Sequence, residues 1–276
     1  MAFSYSFWPV APQLAPLIDQ IYVFRCNEDR FEAPAGALLP QLMWQLSGQL
    51  GWIAGDKREQ PCFPATLLGP SRGALRLTSE GVTTIVGVGL FPEGWHALIE
   101  PDADTLVGQL IDLTTLWGDD ALEPLAGTPD EPDRALAARL EGHLLTRLQH
   151  APPQDARVAA ISRWINGPTG DIDQLTTELA VSRRQLERIA RRAHGLPPRL
   201  LANKHRTLKL AAMLAAGIDL KTAWLDDFAD QSHFTREFRR FMGVTPTAFL
   251  RSEGVLVREI MRVRREIASH HPLGLG

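Results

Sequence analysis

The chain of 276 residues predicts an α+β fold: a small N-terminal β-barrel or sandwich, then an all-α domain in which two helix-turn-helix motifs are joined by a long helix. Three observations predict it. The first is a gapless repeat: Leu186, Arg188, Arg191, Arg192, Gly195, Pro198 and Leu201 return 48 residues later as Phe234, Arg236, Arg239, Arg240, Gly243, Pro246 and Phe249. Each copy reads as a short helix with an arginine face. A glycine suited to the left-handed position closes it, and a proline opens the next helix. The second is charge. Residues 1–150 carry 9 Lys+Arg and 19 Asp+Glu, a net of −10; residues 151–276 carry 20 and 13, a net of +7, and the whole chain stands at −3. An acidic half joined to a basic one points to a polyanionic partner on the basic side. The third is texture, which runs from short Gly- and Pro-bounded apolar segments to helical periodicity.

In order, Ile21–Phe24, Leu38–Leu46, Thr66–Leu68, Ala74–Leu77 and Val82–Leu90 are the expected strands, the last β-branched and ending at Phe91-Pro92. The barrel-like regulatory or sensor domain is expected over 1–118. A helical connector over 119–152 follows, with Leu136, Leu140, Leu144 and Leu148 spaced by four. That stripe either packs on its own domain or pairs with a second subunit, and the intramolecular reading leads. Cys26 and Cys62 are too few for a disulfide scaffold and are expected as buried thiols. The opening MAFSYSFWPV lacks a basic segment and a long apolar run, so a cytoplasmic protein without membrane contact is expected.

The acidic half offers little to catalysis. His96 is its one histidine before residue 140, which leaves no His-rich metal set, and it contains no Gly-x-Ser-x-Gly elbow. No enzyme, cofactor or metal is expected. A barrel lined with aromatics can instead hold a small ligand. Trp44, Trp52, Arg72, Trp95 and His96 are the candidates, against the simpler reading that each tryptophan is core.

The double helix-turn-helix domain is expected over 153–253, with a basic helix and tail over 254–276. Asp155 to Ile165 forms a first helix, and Gly170 to Leu179 a second. Ser182 and Gln185 then make a capping box for a helix from Arg183 to His194. Pro197-Pro198 opens a long spacer helix through Ala216, closed by Gly217. A weak helix before Asp227 leads to a helix over Gln231–Met242 capped by Asp230, with Phe234, Phe238 and Phe241 as its buried stripe. A short helix, a tight turn and a capped second helix form helix-turn-helix grammar. The amphipathic helix after Gly254 is expected to pack on the second module.

The stretch FADQSHFTREFRRFMGVTPTAFL resembles the C-terminal signature of AraC/XylS-type transcription regulators through Phe228, Asp230, Ser232, Phe234, Arg236, Phe238, Arg239, Gly243, Thr245 and Pro246. The resemblance extends over about 165–251. GPSRGALRLT, Ile85–Leu90 and Ile111–Gly118 resemble the β-rich N-terminal domain of one subgroup. It implies duplex DNA as partner, with one recognition helix from each module in a major groove. RNA polymerase, a small-molecule effector and a second copy of the chain stand as further candidate partners. By motif position the base-facing residues are Arg184, Glu187 and Arg188 in the first helix and Gln231, Ser232, His233 and Arg236 in the second. Arg191, Arg239, Arg240 and Thr245 are assigned to phosphates, where contacts position rather than specify. Glu187 either reads a cytosine amino group or pairs with Arg183 or Arg191. Arg239 and Arg240 have a plainer reading as a solvated face. The chain departs from the family at Ala180 and Asp227, where turn glycines are usual, and at Ala190, which stands where the second copy has Phe238. A constitutive DNA- or partner-binding protein without a ligand is the alternative function, followed by an enzyme tethered to nucleic acid.

Overall fold

Two-residue alternation along the strands gives the β-half two apolar faces. The computed structural model describes residues 3–55, 58–167, 172–218, 231–251 and 254–267. Its strands are β1 Phe3–Trp8, β2 Ile18–Cys26, β3 Arg30–Gly36, β4 Gln41–Ala54, β5 Gln60–Pro61, β6 Ala65–Leu68, β7 Leu75–Leu90 and β8 Leu110–Asp112. They form one antiparallel sheet of eight strands in the order β1-β2-β7-β4-β6-β8, with β3 on β7 and β5 on β4. The expected barrel or sandwich is therefore a sheet whose strand path does not close. Long, bulged β4 and β7 carry it, and the shifts in their pairing near Ser47 bend the two strands together.

Ile21, Val23, Leu42, Trp44, Val86 and Val88 share one core. The chain covers it with α1 (Pro92–Leu98), α2 (Thr114–Trp117), a 3-10 helix (Gly118–Ala126) and α3 (Asp133–Leu148). Leu136, Ala137, Leu140 and Leu144 of α3 are buried in that core, so the leucine stripe packs on its own sheet. The tryptophan N–H groups find partners locally: Trp44 Nε1 donates to Ala121 O at 2.6 Å and Trp117 Nε1 to Leu98 O at 3.0 Å.

The alternate residues Tyr22, Phe24, Met43, Trp52, Leu77 and Ile85 face the other way. The basic half supplies α4 (Ala156–Asn166), α5 (Ile172–Glu178), α6 (Arg183–His194), α7 (Pro198–Ala215), α8 (Gln231–Met242), α9 (Pro246–Phe249) and α10 (Val255–Ile267). Of these, α7 to α10 cover that face of the sheet, while α4 to α6 share a separate cluster with Leu39 and Phe91. Leu208, Ala211, Phe238, Phe241, Val257 and Met261 from α7, α8 and α10 join the sheet residues in a single cluster. The architecture is thus helix layer, sheet, helix layer, and the two sequence halves share a core. The tail helix packs inward as expected. The weak helix before Asp227, Asp230 as a cap, and Phe228 lie outside the described residues.

Local signals hold closely in the basic half. Asp155 caps α4 by accepting from Arg157 N, and Ser182 and Gln185 form the full reciprocal box at α6. Gly195 and Gly243 take φ of +77° and +78°. Between α5 and α6 the chain turns through Val181 N to Thr176 O (3.0 Å) and Ala180 N to Thr177 O (3.2 Å), the paired bonds of a Schellman close. Its left-handed residue is Ala180, with φ +50°, the one positive-φ residue other than glycine among the described residues. A Cβ in that region costs about 1–2 kcal/mol, partly offset by the extra unfolded-state entropy that glycine would bring. Ala180→Gly should therefore raise unfolding free energy by about 0.5–1 kcal/mol in chemical denaturation; an unchanged or lower midpoint would refute the strain.

Candidate nucleic-acid interface

Helix α6 is amphipathic because Leu186 and Ala190 fall on one side and the arginines on the other. Leu186 and Ala190 are fully buried, while Arg184, Glu187 and Arg188 are exposed. Ala190 leaves less volume than the Phe238 of the second copy. The core of the first module is completed from outside it: Leu39 and Phe91 of the β-half sit in one cluster with Ile161, Leu175, Leu186, Ala190 and Leu201. In α8 the phenylalanines pack on one another as well as on the sheet. Phe234 packs edge-on to Phe238 at 5.5 Å between ring centres, and Phe238 to Phe249 at 5.4 Å. Gln231, Ser232 and Arg236 are exposed and His233 is half-buried. Both helices thus direct their base-facing candidates away from their apolar stripes.

Other cations have protein partners. Arg191 bonds Glu187 at 2.8 Å, the within-helix pairing weighed above, so in the unbound protein Glu187 holds a phosphate candidate in place. Arg183 pairs with Asp173 at the helix entrance. Arg240 lies 3.6 Å from Glu237 and 5.2 Å over the Phe241 ring. The Arg191 and Arg183 pairs are exposed, worth at most about 1 kcal/mol, and yield readily to a phosphate; Glu237 beside Arg240 is largely buried. Arg239 is exposed. Thr245 accepts from Ala248 N as the cap of α9, which accounts for its place in the motif without a phosphate.

Three ties to the β-half were not legible as such in the sequence. Arg192 of α6 bonds Asp102 at 2.9 Å. Lys204 of α7 donates to Leu38 O at 2.7 Å, and its burial, with Arg264 nearby, pushes its ammonium down to about 7. Arg264 of α10 stands 3.7 Å from Asp19, both nearly inaccessible, and burial raises the Asp19 carboxyl despite bonds from Gln20 N and Gly89 N. A charged residue on the apolar side of the tail helix was the available signal for Arg264.

The five ligand candidates do not converge. Trp44 is core on the first face; Trp52 is on the second, and Arg72 is exposed in the loop after β6. Trp95 Nε1 donates to Pro101 O, and a His96 ring nitrogen lies 3.1 Å from Pro153 O. Trp95 and His96 line one open groove of about 760 Å³ with Arg147, Arg188 and Arg192. A separate, nearly filled cavity of about 30 Å³ lies under the second face, where Asp19, Gln41, Trp52 and Arg264 meet Tyr5 and Tyr22. Cys26 and Cys62 are free and buried, and burial pushes the Cys62 thiol up to about 12. Among the described residues no His/Cys/Asp/Glu cluster could hold a metal, and no helix is long and apolar enough to cross a membrane.

A family model described as a helix-turn-helix domain matches residues 175–252. No curated protein matches the chain in sequence. Among solved structures, the chain is similar to ToxT from Vibrio cholerae, with a TM-score of 0.50 and 16% identity over 91% of this chain and 98% of that one. A ToxT structure from Vibrio cholerae O395 gives 0.47 and 16% over 90% and 97%. The AraC-like transcriptional activator CuxR gives 0.29 and 13% over 77% and 88%. At 16% identity the first of these speaks for the fold: a β-rich N-terminal part followed by a helical C-terminal one.

The last residue of α6 carries a titration with a readable sign. His194 is buried, and desolvation alone lowers its imidazole to about 3 from 6.5. Its Nε2 has no hydrogen-bond partner among the described residues. The folded state therefore holds the neutral ring, while the unfolded chain takes up a proton below 6.5. That contribution is fully present above pH 6.5 and is lost progressively as pH falls toward 3. In melts between pH 7 and pH 4, His194→Leu should show a stability slope shallower than the parent's by up to ~1.4 kcal/mol per pH unit; parallel slopes would contradict the buried neutral imidazole.

Proposed function

We propose that this chain, whose residues 175–252 form a helix-turn-helix domain of the AraC type, is a sequence-specific transcription regulator that reads two adjacent major-groove segments of duplex DNA with α6 and α8. A helix-turn-helix family model over 175–252 and a ToxT-like fold support this reading. The observation that carries the finer reading is the exposure of Arg184, Glu187, Arg188, Gln231, Ser232 and Arg236 on two helices whose opposite sides are buried.

Arginine reads guanine by two parallel hydrogen bonds, and amides and hydroxyls read the remaining edges. Arg191, Arg239 and Arg240 meet phosphates, which makes affinity fall steeply with salt. The ion pair of Arg191 is exposed, so exchanging a carboxylate for a phosphate costs little there, whereas Arg240 turning to a phosphate leaves the largely buried Glu237 carboxylate behind. Helices reading one side of the duplex recognise segments about one turn apart. RNA polymerase is the partner that a regulator placed in this way addresses at a promoter.

An effector is supported by the cavity under the second face, where buried Asp19 and Arg264 stand among aromatic side chains and Arg264 Nη1 has no hydrogen-bond partner among the described residues. A ligand there touches β2, β4 and α10 together, so it acts on the joint between the halves. Its present volume suits water rather than a metabolite. Binding therefore requires the two layers to part.

Selection of bound sequences from random duplex DNA tests the main reading, and a bipartite motif is the expected result; no enrichment would defeat it. Within such a motif, Arg236→Ala should cost about 1–3 kcal/mol and relax one base position, whereas Arg240→Ala should weaken all sequences alike and reduce the salt slope by about 1. An unchanged base preference in the first variant, or a sequence-selective loss in the second, would overturn those assignments. A metabolite screen by thermal shift should find a stabilising compound whose effect disappears in Arg264→Met, since a ligand of the native state raises stability by mass action. A stabiliser indifferent to that substitution places the effector elsewhere.

A further inference from the structure

Both recognition helices end on the same short loop of the β-half. The loop, residues 69–74, joins β6 to β7 and was singled out in the sequence as part of GPSRGALRLT. The close of α6 sits against its first part: a Cβ on Gly195 would lie 2.5 Å from Pro70 Cγ and 3.3 Å from Ala103 O. The close of α8 sits against its last part: a Cβ on Gly243 would lie 3.2 Å from Ala74 Cβ, and one on Gly73 would lie 3.1 Å from Arg240 O.

The contacts at α8 do more than pack. The last four carbonyls of a helix lack partners within it. Here Arg239 O accepts from Gly243 N at 2.9 Å, but Arg240 O accepts from Ala74 N at 2.8 Å and Phe241 O from Ala37 N at 2.6 Å. The β-half therefore caps the second recognition helix. The loop is itself anchored, since Gly69 N bonds Gln109 O at 3.0 Å and Gly108 N bonds Pro70 O at 2.8 Å. Strands β6 and β7 hold its ends in the sheet.

We propose that the 69–74 loop is the gauge that sets the separation of the two half-sites, with Pro70 positioning α6 and Gly73 and Ala74 positioning α8. This rests on the DNA-reading function proposed above. The spacer α7 links the modules along the chain, but a link at one edge leaves a hinge. The loop ties the far ends of both recognition helices to one rigid sheet and closes the frame. One base pair is about 3.4 Å of rise with about a tenth of a turn, so a small change at either seat alters the spacing that fits.

The experiment uses the full chain and a duplex library in which the selected half-sites are separated by every spacing within three base pairs of the preferred one. The parent should favour one spacing over its neighbours. In Gly73→Val, whose added atoms wedge against Arg240 O, and in Pro70→Ala, which removes the ring under Gly195 without adding bulk, the half-site sequences should persist. Discrimination between the preferred spacing and its neighbours should fall about tenfold, or the preference should move by a base pair. Melting curves identify folded variants, and Pro70→Ala decides the matter if the wedge destabilises the protein. Unchanged half-sites with unchanged spacing discrimination would overturn the gauge. A parent that selects no DNA would instead defeat the DNA-reading function, and the gauge with it.

Discussion

The second apolar face of the sheet can be kept from water only by the helices that also carry the arginines, and most of the molecule follows from that constraint. Tyr22, Phe24, Met43, Leu77 and Ile85 point away from α1 and α3; Phe3, Tyr5 and Phe31 of the neighbouring strands pack beside Tyr22 and Phe24, and helices of the basic half complete the cover. Burying one such side chain contributes about 1.5–3 kcal/mol, so leaving the face bare would forfeit a sum comparable to the stability of a whole domain. The phenylalanines of α8 and the aliphatic side of α10 supply the cover. Helix α8 is thereby held against the sheet, as α6 is held by Leu39 and Phe91, rather than hung on a flexible linker.

Polar groups inside this joint are few and mutually arranged. Asp19 is held by two backbone N–H groups and faces Arg264; Lys204 ends on the Leu38 carbonyl. A buried pair of this kind contributes little net stability over an apolar substitute, and breaking it from one side is costly. Its effect is on register: helices α7 and α10 fit the sheet in one position, where these charges meet. Around the rim, Arg192 with Asp102 adds an exposed tie that salt weakens.

Much of the basic half was legible because its signals are local. A capping box, two left-handed glycines and prolines at the helix starts specify α6, α7 and the close of α8 within a residue or two, and Ala180 was legible as a residue standing where a turn glycine is usual. The strands around Ile21–Phe24 and Val82–Leu90 were legible from their β-branched residues, although β4 and β7 run longer than their apolar cores suggested. The open path of the sheet and the shared core were not legible. A continuous apolar run says that a strand is buried on both faces, and nothing in it names what lies on each. The exposed base candidates followed from helical periodicity alone. The five ligand candidates are scattered for the opposite reason: tryptophan is chosen for size, and Trp44 and Trp52 sit on opposite faces because their positions differ by an even number across a bulge.

The bonds from Ala74 and Ala37 to the end of α8 are made by backbone atoms on both sides. Such a joint has no side chain to lose by substitution, provided that the glycines beside it stay small. Residues on the outer surface of α6 and α8 can then be exchanged freely while the frame that presents them persists. On the proposed DNA-reading function, a lineage built on this plan acquires new target sequences by point changes at a handful of exposed positions, without relearning how to hold its two helices.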